Sequence, residues 1–346
     1  MRYLRILVAI AGCMTLTSAI SAEAPGSQRS FAERAEVGLF IAEMRDKHGF
    51  DADILHVLFR RIRPIPAVIK AIMPPKDPGV RSWHAYRSRF VEPVRIAAGR
   101  RFMRQHAAEI AAAEARFGVP AEIIAAIIGV ETIYGRQLGR FGIFAALSTL
   151  AFDYPPRAEL FRRELEELLL LAREEDRSPL SYVGSYAGAL GLPQFLPSSR
   201  RLYAIDFDGD GRVDLAGSPA DAIGSVASFL ASHGWQKGAP IAVTVNVAGP
   251  GAESLIAEGI VPQRTPRQME AANVAFTRVG DGDTALNAAD EPLPQEAAAL
   301  IDLATPNATT EYRLGYRNFY VLTRYNRSSF YAAAVIDLAE TLRRSE

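Results

Sequence analysis

The chain has 346 residues, 49% of them hydrophobic and 23% charged, the balance of a globular protein with enough apolar surface for a large core. Basic and acidic side chains are equal at 39 each and no basic block or stripe stands out, which argues against nucleic-acid binding. Cys13 is the only cysteine, which excludes an intrachain disulfide framework.

Arg2 and Arg5, an apolar run from Ile6 to Ile20, and Ser21-Ala22 before Glu23 read as a secretory signal over residues 1–22. The run is too short to favour a spanning helix, and no later segment approaches the roughly 20 apolar residues that one needs. Its removal takes two arginines and no acid, leaving 37 basic against 39 acidic side chains. Ile10-Ala-Gly-Cys13 also fits a lipoprotein cleavage box, with a lipid anchor at Cys13. That cut would halve the apolar run, so cleavage near Ala22 is preferred. The expected location is the periplasm, with an outer-membrane lipoprotein as the alternative.

Residues 31–72 alternate apolar and charged positions at helical spacing and end in proline-rich Ile62-Arg-Pro-Ile-Pro-Ala67. Prolines at 74, 75 and 78 mark a loop before a long helical stretch over 93–116. Residues 117–235 read as several helices joined by glycine- and proline-containing turns. At Ile241-Ala-Val-Thr-Val-Asn-Val247 the pattern changes to period-two alternation, and 312–316 and 320–325 also read as strands. Residues 249–311, rich in Gly, Pro and Asp, suggest a small β-containing insertion, and a last helix spans about 328–343.

The stretch from Val119 to Gly135 opens with Pro120, closes on Gly135 and carries Ile123, Ile124, Ile127, Ile128 and Val130, leaving almost no polar face. Glu131 sits at its far end. Burial and the negative end of the helix dipole both favour the protonated carboxyl there, as a general acid near neutral pH requires. The plainer reading is a helix-end glutamate paired with Arg136 or Arg140. Against it stands the run Gly184–Ser199: glycines at 184, 188 and 191 permit close approach, and Ser185, Tyr186 and Gln194 offer uncharged hydrogen-bonding groups. Such a surface suits a groove for a neutral polymer such as a sugar chain.

Asp206-Phe-Asp208-Gly-Asp210-Gly-Arg-Val-Asp214 begins like a calcium loop of the D-x-D-x-D-G type, but its twelfth position is Gly217 in place of a bidentate glutamate. The alternative is an acidic turn whose aspartates cap their own backbone. No zinc-type His or Cys cluster, Gly-x-Ser-x-Gly elbow, Walker loop or Rossmann fingerprint occurs.

The segments GVETIYG, DYPPRAELF, GSYAGALGLPQFLPSS, DFDGDGRVDL, DAIGSVASFLASHGW and TRYNRSSFYA, in this order, resemble the membrane-bound lytic murein transglycosylase B family. The resemblance runs from about Phe31 to near the C-terminus. It implies a mainly α (α+β) fold: an N-terminal helical subdomain at 31–100, a lysozyme-like helical core at 101–240 and a small β-containing subdomain at 241–320. Residues 321–346 would supply a groove-lining strand end and a C-terminal helix packing back on the core.

The implied activity is cleavage of the MurNAc-β-1,4-GlcNAc bond of peptidoglycan glycan strands, leaving 1,6-anhydro-MurNAc ends and using no catalytic cofactor. Glu131 would be the single catalytic carboxylate, acting as acid and then as base. Asp153 is the nearest motif candidate for a second carboxylate, for which a capping or structural role is preferred. Ser185 and Gln194 would bond the sugar or Glu131, and Tyr325 with Asn326 would position the acetamido group and the acid. Tyr86, Tyr134 and Tyr331 would line the groove, and Arg157 would meet peptide-stem carboxylates or a neighbouring acid. For the tyrosines the plainer reading is core packing; for Arg157 it is a structural ion pair. The resemblance extends the acidic loop to Asp221, with the Arg212 carbonyl joining Asp206, Asp208 and Asp210 around a structural calcium. One departure is Gly191-Leu-Pro193, where the family often has Gly-Tyr-Gly; an aromatic is lost and the backbone stiffened. Two rivals remain: a hydrolytic muramidase using the same groove, and a non-catalytic peptidoglycan-binding scaffold for other cell-wall enzymes.

Overall fold

The computed structural model describes residues 30–74, 81–279 and 292–344. The signal segment and Cys13 lie outside the described residues. Three apolar clusters organise the chain.

The first joins two distant stretches. Helices α1 (Ala35–His48), α2 (Ala52–Arg60) and α3 (Pro66–Ile72) are punctuated by readable signals. Gly49 ends α1 at φ 67°, the Asp51 carboxylate starts α2 by accepting from Asp53 N and Ile54 N, and Pro66 opens α3. Further on come α4 (Trp83–Arg87), α5 (Pro93–Gln105), α6 (Ala107–Phe117) and α7 (Ala121–Thr132). A minimal ribbon, β1 (Phe141–Gly142) with β2 (Val183–Gly184), brackets α8 (Ile143–Asp153) and α9 (Ala158–Glu174). Val37, Phe40 and Phe59 pack with Phe144, Leu165 and Leu168, so α1–α3 share a core with α8 and α9. Arg34–Asp153, Arg162–Glu43 and His48–Glu166 contacts at 2.6–2.7 Å ring this core.

The second cluster is built around α7, whose residues Ile123 to Val130 are all buried. At roughly 1.5–3 kcal/mol per large aliphatic side chain, this burial dominates the helix's stability. Around it pack α4–α6, the helices α10 (Pro197–Tyr203) and α11 (Pro219–Ser232), and the C-terminal α14 (Arg317–Tyr325) and α15 (Ser329–Arg343).

The third cluster underlies an antiparallel sheet of order β4-β3-β6-β5, with β3 (Ala242–Ala248), β4 (Ala275–Arg278), β5 (Ala299–Leu303) and β6 (Glu311–Gly315). Val243 and Val245 turn inward on β3, as the alternation requires, against Leu300, Leu314 and the short helices α12 (Ala252–Ala257) and α13 (Pro266–Glu270).

Several expectations are corrected. The helix over 93–116 is two, broken at His106 (φ −118°, ψ 32°). Residues 320–325 are not a strand but part of α14. Val321, Leu322 and Thr323 are β-rich in composition, yet burial of Asn318, Phe319, Val321 and Leu322 beside exposed Arg317 has a helical spacing. The Asn318 side chain anchors the first turn by accepting from Gln236 N and donating to the carbonyls of Gln236 and Ala239. The expected boundary at residue 100 does not divide the packing. Trp83 and α5 belong with α7, whereas α8 and α9, expected in the central core, pack on the N-terminal helices.

Candidate active site

Glu131 occupies the penultimate position of α7, one residue before the helix stops. The stop is abrupt. Ile133 and Tyr134 take left-handed backbone values, φ 51° and 54°, and Gly135 follows at φ 89°. For a β-branched residue this costs on the order of 1–3 kcal/mol and persists only where neighbours over-determine it. Here Ile133 N and Tyr134 N bond back to the carbonyls of Gly129 and Ile128. The Arg95 guanidinium, buried beneath, donates from Nε to the Gly129 carbonyl at 2.8 Å. The Thr132 hydroxyl donates to Leu192 O at 3.0 Å, lies 3.3 Å from Ile128 O and accepts from Gly135 N at 3.1 Å.

The Glu131 residue keeps part of its surface toward solvent. Burial of its carboxyl raises the pKa to about 7, while a hydrogen bond donated by Tyr331 Oη to Oε1 at 2.6 Å pulls the other way. Burial, reinforced by the acid, pushes the Tyr331 hydroxyl well above its ordinary range, so it remains a donor. Tyr331 is supplied by the first turn of α15, which the Ser328 hydroxyl caps by accepting from Tyr331 N. The Tyr325 ring stacks on Tyr331 at 6.2 Å and 13°, and its hydroxyl donates to Pro193 O at 2.6 Å. Tyr86 is near enough for Glu131's charge to contribute, after burial, to raising its hydroxyl pKa. It rides on α4, which Trp83 N fastens to Ala304 O, while Arg87 and buried Arg313 both pair with Asp337 of α15.

Tyr134 is a correction. Its hydroxyl does not face a groove; it enters a slot between α5 and α7, where a Cβ on Gly99 or Gly129 would stand 2.3 or 2.4 Å from it. It is the one buried side-chain polar atom without a hydrogen-bond partner among the described residues. The first glycine of GVETIYG, Gly129, makes room for the tyrosine of the same motif.

The run after Gly184 folds as a sequence of tight turns. Ser185 Oγ accepts from Ala189 N at 3.0 Å, and Gln194, at φ 50°, donates from Nε2 to Gly191 O at 2.8 Å and Leu138 O at 3.4 Å. Gly191 is required at φ 70°, since a Cβ would meet Leu215 O at 2.4 Å. Asn326 is exposed just past α14, next to Tyr325. Arg157 is exposed beside the N-terminal cluster, with its guanidinium 5.4 Å over the Phe161 ring and, among the described residues, no carboxylate paired with it. Asp153 pairs with Arg34 at 2.6 Å.

In the acidic loop Asp206, Asp208 and Asp210 present oxygens within 4.8 Å of one another. These hard oxygen donors suit calcium. The same aspartates also cap their own turn: Asp206 accepts from Gly209, Asp210 and Gly211 amides, and Asp210 accepts from Arg212 N. Asp221 does not join them. Buried to 1% exposure, it spends one oxygen on Phe207 N and the other on Asp214 N, closing the loop from beneath.

Sequence reasoning passed over Thr132, Arg95, Arg313 and Asp337. Thr132 had a signal, its place beside Glu131; the others meet only through tertiary packing.

A transglycosylase SLT domain model matches residues 32–340. The chain is similar to the membrane-bound lytic murein transglycosylase B of Escherichia coli K12, 37% identical over 321 residues that cover 90% of this chain and 84% of that protein. Among solved structures, the lytic transglycosylase SltB1 of Pseudomonas aeruginosa, solved in a catenated form, superposes with a TM-score of 0.80 at 42% identity, over 90% of this chain and 98% of that one. The E. coli lytic transglycosylase Slt35 in complex with calcium gives 0.75 at 38%, over 90% and 94%. These matches span all three apolar clusters and the acid-bearing turn: the chain belongs to the transglycosylase SLT domain family, with its lysozyme-like helical fold.

Proposed function

We propose that this peptidoglycan lytic transglycosylase works with one carboxyl group, Glu131, in two successive roles. The observation that carries the reading is a carboxyl at the wall of the second core, held by burial at a pKa of about 7 and touched by a tyrosine hydroxyl. Near neutral pH such a group can both give and take a proton.

In the first half, protonated Glu131 donates to the oxygen between N-acetylmuramic acid and N-acetylglucosamine, and that glycosidic bond breaks. The 2-acetamido oxygen of the muramic acid bonds to C1, giving an oxazolinium ion; the substrate supplies the second group that glycosidases usually furnish as a carboxylate. In the second half, the Glu131 carboxylate takes the proton from the C6 hydroxyl. O6 bonds to C1, the C1–oxazolinium oxygen bond breaks, and the acetamide is restored with a 1,6-anhydro ring. Glu131 ends protonated, as it began. Intramolecular attack carries a large effective concentration, which favours O6 over water.

Tyr331 orients Glu131, Tyr325 is held beside it, and Tyr86, Ser185, Gln194 and exposed Asn326 are proposed sugar contacts. Arg157 is proposed for peptide-stem carboxylates. Asp206, Asp208 and Asp210, with the Arg212 carbonyl, would hold a calcium ion that stiffens the acidic loop; the calcium complex of Slt35 supports this reading. Among the described residues no helix is long and apolar enough to cross a membrane, and the proposed setting is the periplasm, reached through the N-terminal signal.

Digestion of purified sacculi followed by mass analysis tests the chemistry. Anhydro-muropeptides are one water lighter than hydrolysed ones; reducing ends alone would make the enzyme a muramidase, and no release would leave a binding protein.

A further inference from the structure

Resting on the transglycosylase reading, we infer that Thr132 is a positioning residue for the reaction, joining the acid-bearing turn to the Gln194 loop through its side-chain hydroxyl. Thr132 is fully buried and therefore cannot touch a sugar chain. Its hydroxyl nevertheless sits where three backbone segments meet. One is the end of α7, through Ile128 O; the second is the left-handed turn, through Gly135 N; the third is the loop before Gln194, through Leu192 O.

The third contact sets it apart from an ordinary helix-end threonine. A threonine late in a helix commonly bonds only the carbonyl four residues back. Here the shorter bond goes to a residue 60 positions away, 3.0 Å against 3.3 Å. Leu192 is also bonded on its other face, its N–H donating to Leu215 O at 2.8 Å at the end of the acidic loop. One peptide strap thus runs from the acidic loop through Leu192 to the residue next to Glu131. Gln194 lies two residues along that strap, so the Thr132 bond sets the spacing between the acid and Gln194. Both sides of the bond are strained or tightly turned, with Ile133 at φ 51° and Gln194 at φ 50°. Removing the bond loosens two conformations that hold only when their surroundings enforce them.

The test compares Thr132→Val, which keeps the shape and loses the hydroxyl, with Thr132→Ser, which keeps the hydroxyl, and with Thr132→Ala should the valine crowd the site. Each is assayed on sacculi for anhydro-muropeptide release, with kcat and KM separated and sacculus binding measured by pelleting. Misplacement of a catalytic group by about 1 Å can cost on the order of 100-fold. The expected result is a kcat lowered roughly 10- to 100-fold in the valine or alanine variant, with KM and binding within about twofold of wild type, and kcat restored to within about threefold by serine. A folded Thr132→Val or Thr132→Ala protein with wild-type kcat would overturn the inference. So would a serine variant as impaired as the valine one, since methyl packing would then be what matters. Release of anhydro-muropeptides by the wild type, in the same assay, keeps either failure separate from failure of the transglycosylase reading.

Discussion

Tyr331 Oη donates to Glu131 Oε1 at 2.6 Å across 200 residues of sequence. The bond places a carboxyl from the end of α7 against a phenol from the start of α15, two helices that pack along one another in the central core. It also sets two influences against each other. Burial raises the carboxyl pKa, the donated bond lowers it, and burial wins.

Replacing Glu131 by Gln removes the transferable proton and keeps the shape. Release of anhydro-muropeptides is expected to fall roughly 10²–10⁴-fold while sacculus binding persists. Pelleting with sacculi and mass analysis of the supernatant check the two halves separately.

The same variant has a stability signature. Glu131 carries a folded-state pKa of about 7 against an ordinary 4.5, so the folded protein binds its proton more tightly than the unfolded chain. That contribution is fully present below about pH 4.5 and is lost as pH rises through 7. Glu131→Gln, which stays neutral, is therefore expected to gain stability over wild type across this window, reaching roughly 1–3 kcal/mol by pH 8. Urea denaturation of both proteins at pH 4.5 and pH 8 measures it; a constant difference would contradict the buried-carboxyl account.

Tyr331→Phe deletes the hydrogen bond that favours the carboxylate. The Glu131 pKa is expected to rise by on the order of one unit, moving the basic limb of the kcat profile to higher pH. A fixed limb with reduced kcat would mean that the hydroxyl acts on the sugar and not on the acid.

Tyr134→Phe removes a buried hydroxyl that has no partner and is expected to be neutral or stabilising by about 1 kcal/mol, with activity retained. Gly129→Ala places a methyl in the slot that this hydroxyl occupies and is expected to destabilise by about 1–3 kcal/mol and disturb the acid. Thermal melts with parallel sacculus digestion distinguish the two.

For the acidic loop, added calcium is expected to raise the melting temperature of the wild type and to leave Asp210→Asn unmoved. Binding at a concentration of 100 times Kd corresponds to roughly 2.7 kcal/mol. Calorimetric titration in chelator-treated buffer checks it.

Much of this molecule could be read along the chain. The apolar run before Glu131 specifies a buried helix because it offers no polar stripe to water, and Val243 and Val245 alternate inward as a strand must. The motifs announced an acid, a turn-rich wall and an acidic loop. They failed where one pattern served two structures. Residues 320–325 carry strand-like composition yet form a helix, because their neighbours bury a helical face.

What the order of residues could not convey is which side of a motif residue meets which partner. Tyr134 and Tyr331 read alike as groove tyrosines, but one hydroxyl lies between two glycines and the other on the acid. Asp221 extends the acidic pattern, yet it lies outside the cluster of Asp206, Asp208 and Asp210 oxygens and accepts from the amides of Phe207 and Asp214. Local chemistry determines which groups are available, through periodicity, caps and turn residues that act over a few positions. Their assignment to partners depends on contacts between segments 60 to 200 residues apart, and only packing of the whole chain brings those segments together.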